Sequence, residues 1–182
     1  RPQFLRSLVP LKPRPAAADI VLSMYRAGER AGTGPMAAVA GAVAEYVGRE
    51  LLDHSAEVIV ENGGDVFLST GAERTVAVYA GASPLSGKVG IVVPAGAQLG
   101  ICTSSATVGP SYSAGRTDAT MVIAAGTAFA DAMASAVGNR VKVPEEIEDA
   151  LNWAGEVDGV LGVLVIVGAA MGVWGQFPVR GL

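Results

Sequence analysis

Three short stretches of this sequence combine residue types that can bind a phosphorylated ligand and a metal ion. The first is Glu61-Asn62-Gly63-Gly64-Asp65, which lies between two apolar segments. Adjacent glycines let backbone N–H groups approach a ligand closely, and Asn and Asp add side chains that form hydrogen bonds. A plain hairpin turn explains the same residues, so both interpretations stay open.

The second stretch is rich in hydroxyl groups and follows an apolar strand. It contains Thr103, Ser104, Ser105 and Thr107. Such hydroxyls can bind phosphate or ribose oxygens, although they also cap turns. A Ser-His-Asp hydrolase is not expected, because the chain has no G-x-S-x-G motif and its single histidine, His54, shows no sign of pairing with a serine.

The third feature is Asp131 with Ser135, which a helix places on one face about 40° apart. Their neighbours are alanines, so this face is expected to be buried and Asp131 needs a polar partner inside the protein. A carboxylate with a hydroxyl one helical turn away suits Mg²⁺. Alternatively, Asp131 bonds a backbone N–H or an arginine. Asp118 either reaches the same site or pairs with Arg116.

The composition excludes several other kinds of site. The chain has 182 residues, 51% of them apolar, which is enough for one domain with a sizeable core. Its net charge of −4, with basic residues concentrated before Asp19, argues against a nucleic-acid partner. One cysteine, Cys102, and one histidine exclude a disulfide framework and a multi-cysteine metal site, which suits the cytoplasm.

The hydrophobic periodicity predicts the elements that position these residues. Residues 1–18 form an extended, proline-rich arm (Pro2, Pro10, Pro13, Pro15) before one domain over 19–182. Helices are expected over 19–31, from Pro35 with a core stripe, over 127–137 with Thr127 as the cap, and from Pro144. The core stripe consists of Met36, Val39, Val43, Val47 and Leu51.

Short strands separate these helices. They are expected over residues 58–60, 66–68, 75–80, 88–93, 99–102 and 121–125, with short turns between neighbours. The uncharged run 159–179 is long enough to span a membrane, but its glycines and Pro178 favour a buried hairpin, 161–167 with 173–177. The predicted class is α+β, with a mainly antiparallel sheet backed by helices.

These motifs follow one another in an order that resembles a known superfamily. A small-residue helix over 34–41 precedes Glu61-Asn62-Gly63-Gly64-Asp65, then Thr103-Ser104-Ser105, then Ala130-Asp131-Ala132-Met133-Ala134-Ser135-Ala136. This resembles the ApbE-like superfamily, whose better-known members are FAD:protein FMN transferases, and more closely an uncharacterised, shorter branch of it. The resemblance covers about residues 34–175. It implies a T-fold-like antiparallel sheet backed by helices.

The resemblance also implies roles for particular residues. Residues 62–65, and Glu61 less directly, would hold FAD or FMN, with the 103–105 turn beside them. Asp131 and Ser135 would bind Mg²⁺ together with a backbone carbonyl near Val39 or Ala40. An acceptor protein is the further partner that this implies.

Two departures from the superfamily weaken the case for the transfer reaction. The Lys-Gly pair usual in the transferases is Ala40-Gly41 here, and the His-x-x-x-Pro-x-Thr-Gly segment is replaced by residues 110–115. Two functions therefore stay open. The chain is an FMN transferase acting from FAD, or it is a catalytically inactive flavin-binding, nucleotide-binding or interaction module. Its apolar C-terminal hairpin also leaves a homodimer open.

Overall fold

Five α-helices and nine strands form over the residues that the structure describes. The structure is a computed structural model, which describes residues 2–14, 16–109 and 111–182. The helices are α1 (Pro2–Arg6), α2 (Asp19–Ala31), α3 (Val39–Leu51), α4 (Thr127–Gly138) and α5 (Ile147–Gly155). The strands are β1 (Val58–Asn62), β2 (Asp65–Ser69), β3 (Arg74–Ala77), β4 (Val89–Val93), β5 (Gln98–Ser104), β6 (Ala119–Ala124), β7 (Val160–Val167), β8 (Ala170–Gly175) and β9 (Val179–Gly181). Short 3₁₀ turns, Pro35–Ala38 and Pro144–Glu146, lead into α3 and α5.

The strands form two antiparallel sheets. The larger sheet has six strands in the order β1-β2-β5-β6-β7-β8, and the smaller has three in the order β3-β4-β9. Every neighbouring pair in both sheets runs antiparallel. The prediction of an α+β protein with a mainly antiparallel sheet is confirmed.

Two hydrophobic cores lie on opposite faces of the six-stranded sheet. On one face, Phe129 and Met133 of α4 pack with Val122 and Val163. On the other, Ile101 and neighbouring residues of β6 and β7 pack with residues of β4 in the smaller sheet. Because alternate residues of a strand point to opposite faces, the central strands are buried on both sides. The molecule therefore has three layers, with the six-stranded sheet in the middle.

Helix α4 is the most deeply buried helix of the described chain. Ten of its residues are buried, including Phe129, Met133 and Val137, which agrees with the predicted helix over 127–137. The cap differs from the prediction, because the N-cap is Gly126 and not Thr127. The hydroxyl of Thr127 is buried and has no hydrogen-bond partner among the described residues.

The face of α3 that packs on the core is not the predicted one. Val43, Val47 and Leu51 are 40%, 44% and 44% exposed, so the predicted core stripe is wrong at these positions. The buried face carries small residues instead, among them Gly48, where a Cβ would come within 2.1 Å of the Phe67 ring. Small side chains let the helix backbone approach the sheet closely, and this displaces the large residues outward.

Both ends of the chain differ in part from expectation. Residues 2–6, expected in an extended arm, form helix α1, and Phe4 packs edge-on against Tyr25 with 5.2 Å between ring centroids. Arg1 and Pro15 of the predicted arm lie outside the described residues. Near the C-terminus β7 is buried, but β8 alternates between half-buried and exposed positions, because it is an edge strand. No helix in the described part of the chain has the length and apolar character to cross a membrane.

We expect Gly41→Ala to destabilise the protein by about 1–3 kcal/mol, because overpacking a tight helix contact strains the backbone. A Cβ at this position would lie 2.5 Å from the Thr127 carbonyl oxygen and 2.7 Å from the Asp131 Cβ. Urea unfolding measures the effect. Gly181→Ala is the matched control, since a Cβ there meets nothing within 4 Å. Equal stability of the two variants would contradict a close α3–α4 contact.

Candidate functional site

A cavity of about 460 Å³ lies where the β1–β2 turn, the end of β5 and helix α4 meet, beside strand β3. Ten residues were predicted to hold a flavin or Mg²⁺, namely residues 61–65, residues 103–105, Asp131 and Ser135, and nine of them line the cavity. These are Glu61, Gly63, Gly64, Asp65, Thr103, Ser104, Ser105, Asp131 and Ser135. The three stretches therefore converge on one space, although they are far apart along the chain.

The Gly63-Gly64 pair is a two-residue hairpin turn that also forms part of the cavity wall. Asn62 pairs with Asp65 across it, and the φ angles of the glycines are 66° and 102°. Such angles are strained for any residue with a Cβ. The N–H of Gly64 donates to Glu61 Oε1 at 2.7 Å, so it already has a partner. The hairpin interpretation is confirmed, and the turn's position in the wall leaves a role in ligand binding open.

Asn62 is the tenth of these predicted residues and does not line the cavity. Its amide Nδ2 donates to the carbonyl oxygen of Ala40 at 3.2 Å. The turn is thereby tied to the first turn of α3, and the Ala40 carbonyl, predicted as a metal ligand, is held in a fixed orientation.

Asp131 links α4 to α3 and faces the cavity as well. Its Oδ2 accepts a hydrogen bond from the Gly41 N–H at 2.8 Å. A reciprocal bond joins the helices, because Glu45 Oε2 on α3 accepts from the Ala128 N–H of α4 at 3.0 Å. Both N–H groups lie in first helical turns, where no partner exists within the helix. The backbone interpretation of Asp131 is thus correct for one oxygen, while Ser135 lines the cavity one turn further on.

The carboxyl of Asp65 is unusually hard to ionise. The residue is only 7% exposed, and burial raises the pKa of Asp65 to about 7. The nearby Cys102 thiol and Thr103 N–H act in the opposite direction and lower the pKa, but they do not outweigh burial. This carboxyl therefore takes up or releases a proton near neutral pH.

Asp131 and Cys102 are also buried and lie close to the Asp65 carboxyl. Burial raises the pKa of Asp131 well above its ordinary value, and the charge of Asp65 raises it further. Burial likewise raises the pKa of the Cys102 thiol, with both carboxylates adding to the effect. The thiol stays protonated and donates to the Thr127 carbonyl at 3.3 Å, so it is a packed core residue and not a nucleophile.

The lining offers carboxyl and hydroxyl groups but no basic side chain among the described residues. None of the described lining residues is Lys, Arg or His. Within the described chain, no group of three His, Cys, Asp or Glu side chains is arranged to hold a metal ion. An ion bound here therefore needs hydroxyl, carbonyl or ligand oxygens in addition to a carboxylate.

The hydroxyl-rich stretch at the end of β5 both caps a turn and lines the cavity. Ser105 Oγ accepts hydrogen bonds from the N–H groups of Thr107 and Val108 at 3.1 and 3.0 Å, which is a turn cap, and Ser105 also lines the cavity. Asp118 neither lines the cavity nor forms an ion pair with Arg116 within the described chain. It accepts hydrogen bonds from Thr107 and Gly168 instead.

The sequence did not predict several residues of the cavity wall. Strand β3 and the residues after it contribute Val76, Ala77 and Tyr79, whose side chain is 68% exposed. Val76 and Ala77 belong to the smaller sheet and Tyr79 follows it, and their place at the cavity depends on tertiary contacts that leave no local pattern. The only available signal was a tyrosine near the end of the strand predicted over residues 75–80, whereas the observed strand ends at Ala77.

The fold is that of the ApbE-like class. The structure is similar to the crystal structure of Pseudomonas stutzeri flavinyl transferase ApbE, apo form, with a TM-score of 0.51 and 19% sequence identity. The match covers 90% of this chain and 59% of that one. The flavinyl transferase is thus much longer, and the likeness shows the fold.

The sequence comparisons agree with this class. The family model described as AbpE bacteria matches residues 1–171, and the chain belongs to this family. It is 45% identical over 180 residues to the UPF0280 protein of Methanoculleus marisnigri, covering 97% of this chain and 72% of that protein. The UPF0280 protein of Methanococcus aeolicus is 40% identical over 183 residues, covering 97% and 74% respectively. The resemblance to the ApbE-like superfamily is confirmed.

The raised pKa of Asp65 predicts a pH-dependent stability. Well below pH 4 the Asp65 carboxyl is protonated in both the folded and the unfolded protein. As the pH rises towards 7, the carboxyl ionises first in the unfolded protein, and the free energy of unfolding falls. We expect the fall in the free energy of unfolding between pH 5 and pH 8 to be about 1–3 kcal/mol smaller in Asp65→Asn than in the wild type, because one shifted carboxyl contributes up to about 1.36 kcal/mol per pH unit. Urea unfolding across this range measures it, with the exposed Asp149→Asn as the control. An unchanged pH profile in Asp65→Asn would contradict a buried, titrating carboxyl.

Proposed function

We propose that the cavity binds a flavin or nucleotide phosphate together with Mg²⁺. The observation that carries the proposal is the convergence of Asp131 and Ser135 with the glycine turn and the hydroxyl-rich turn on one wall. A volume of about 460 Å³ suits a ligand of this size, since ligand pockets usually measure about 300–1,000 Å³.

The charge of the wall supports a role for a divalent cation. Glu61, Asp65 and Asp131 line the cavity, and no described lining residue is basic. A phosphate that enters alone brings its negative charge into a poorly solvated space that offers no positive charge among the described residues, which costs free energy. A cation would supply that charge and would help the buried carboxyl groups to release their protons and bind it.

The residues near Asp131 fit Mg²⁺ by their chemistry. Magnesium prefers hard oxygen ligands and keeps several waters. The chain offers the Asp131 carboxylate, the Ser135 hydroxyl and the nearby Ala40 carbonyl, which Asn62 holds in place. Bound there, Mg²⁺ would supply positive charge to the pyrophosphate oxygens of the ligand.

The other part of the wall suits a flat ring. Val66, Ile101 and Met121 supply apolar surface, and the exposed ring of Tyr79 lies at the same cavity. Aromatic rings gain from stacking on one another beyond the area that they bury. An isoalloxazine or adenine ring fits this part, with its phosphates near the hydroxyls.

Two activities are compatible with this ligand. In FMN transfer from FAD, a hydroxyl oxygen of an acceptor protein bonds to the FMN phosphorus, the pyrophosphate bond breaks, AMP leaves, and the hydroxyl proton goes to a carboxylate of the cavity wall. The alternative is a catalytically inactive module that binds the flavin or nucleotide. The alternative is favoured by Ala40 where the transferases have lysine, and by the missing histidine segment.

Thermal unfolding with FAD, FMN, ADP and GTP, each with and without Mg²⁺, tests the binding proposal. Ligand at one hundred times its Kd should add about 2.7 kcal/mol of stability. We expect FAD with Mg²⁺ to stabilise the wild type, and Asp131→Asn to lose this gain. An amide oxygen can still accept from the Gly41 N–H, so the variant should keep its fold.

The control for this test is Asp149→Asn, which removes an exposed carboxyl of α5. It should respond to FAD as the wild type does. Equal stabilisation of Asp131→Asn and wild type would refute the metal site. No stabilisation by any of the four compounds would refute the binding proposal itself.

AMP release distinguishes the two activities once binding is established. We expect an FMN transferase to release AMP from FAD in the presence of Mg²⁺ and a mixture of serine- and threonine-containing peptides, with FMN attached to peptide. Chromatography with mass spectrometry measures both products. Tight FAD binding without AMP would support the inactive module.

A further inference from the structure

Asp118 connects two segments that lie apart in the sequence. Its Oδ1 accepts a hydrogen bond from the Thr107 hydroxyl at 2.9 Å, and its Oδ2 accepts from the Gly168 N–H at 2.7 Å. Gly168 lies in the turn between β7 and β8. Each carboxyl oxygen of Asp118 therefore has its own donor.

A third segment joins at the same turn. The buried Ser83 donates its hydroxyl to the Gly168 carbonyl oxygen at 2.6 Å. Between Ser83 and the cavity residue Tyr79, the backbone at Gly81 lies against the 103–109 segment, since a Cβ on Gly81 would come within 2.8 Å of Val108 Cγ2. The Gly168 turn thus fixes segments on two sides of the cavity.

The segment that Asp118 holds is a wall of the cavity. We name residues 103–109 the hydroxyl wall. Thr103, Ser104, Ser105, Val108 and Gly109 of this wall line the cavity, whereas Thr107 does not. Thr107 instead ties the wall to Asp118 through its side chain, and its N–H donates to Ser105 Oγ at 3.1 Å.

We propose that Asp118 is a positioning residue that holds the hydroxyl wall in its binding geometry through Thr107. The part of the proposal that concerns a ligand rests on the proposed function of the cavity. Asp118 does not touch the cavity, so its effect on a ligand passes through the wall. The Ala106 N–H bond to the Thr117 carbonyl, at 2.9 Å, is the neighbouring backbone tie of the same segment.

The first test compares variants that break the link with variants that keep it. Asp118→Ala and Thr107→Val each remove it. Asp118→Asn can still accept from Gly168 and donate to Thr107, and Thr107→Ser keeps the hydroxyl. We expect amide hydrogen exchange in the 103–109 peptide to speed up about tenfold in the first two variants, the factor for losing one hydrogen bond, and to stay near wild type in the last two.

The second test measures FAD affinity with Mg²⁺ by calorimetry on the same proteins. We expect a loss of about tenfold in Asp118→Ala and Thr107→Val, and wild-type affinity in the two conservative variants. The double variant should lose no more than Asp118→Ala alone, because Thr107→Val removes only the link that Asp118→Ala has already broken. Glu57→Ala is the control, since Glu57 also bridges two segments, through Gly71 and Arg74, without lining the cavity.

The outcomes separate this proposal from the proposed function. Wild-type exchange rates in Thr107→Val would overturn it, and so would faster exchange with unchanged FAD affinity. If the wild type itself binds no FAD, the proposed function fails, and the exchange rates alone decide whether Asp118 holds the hydroxyl wall. A similar loss of FAD affinity in Glu57→Ala would show a general loss of stability and would also overturn the proposal.

Discussion

The reciprocal hydrogen bonds between α3 and α4 are the interaction on which the cavity depends. Each helix uses a carboxylate to bind an N–H group in the first turn of the other, Asp131 with Gly41 and Glu45 with Ala128. Helix N-termini carry unpaired donors and a partial positive charge, so a carboxylate is the partner that satisfies both. Because Gly41 has no Cβ, the helices approach closely enough for these bonds to form. Asp131 is consequently fixed where the three site stretches meet.

This arrangement leaves an excess of buried acid. Asp65, Asp131 and the Cys102 thiol are close neighbours, and burial raises the pKa of each. Two N–H groups of α3 offset part of the cost at Asp131, but no described lining residue supplies a full positive charge. Under the proposed function, a cation that binds with an anionic ligand would supply the missing positive charge, so ligand binding would also stabilise the fold.

The sequence predicted what depends on local pattern. Asp131 among alanines, adjacent glycines between strands, and hydroxyls after a strand all carry their signal within a few residues, and the structure places all three at one cavity. The buried face of α3 was missed, because close packing favours its small residues over Val43 and Val47. The contributions of Tyr79, Asn62 and Asp118 depend on which strands and turns become neighbours, and no short pattern encodes that.

A crystal structure of the protein soaked with FAD and Mn²⁺, a substitute for Mg²⁺ with a strong anomalous signal, tests the central claim most directly. We expect one anomalous peak beside the Asp131 carboxylate and the Ser135 hydroxyl, in contact with ligand phosphate, with the flavin or adenine ring near Tyr79. Ligand bound elsewhere, or a phosphate in the cavity with no ion beside Asp131, would contradict it.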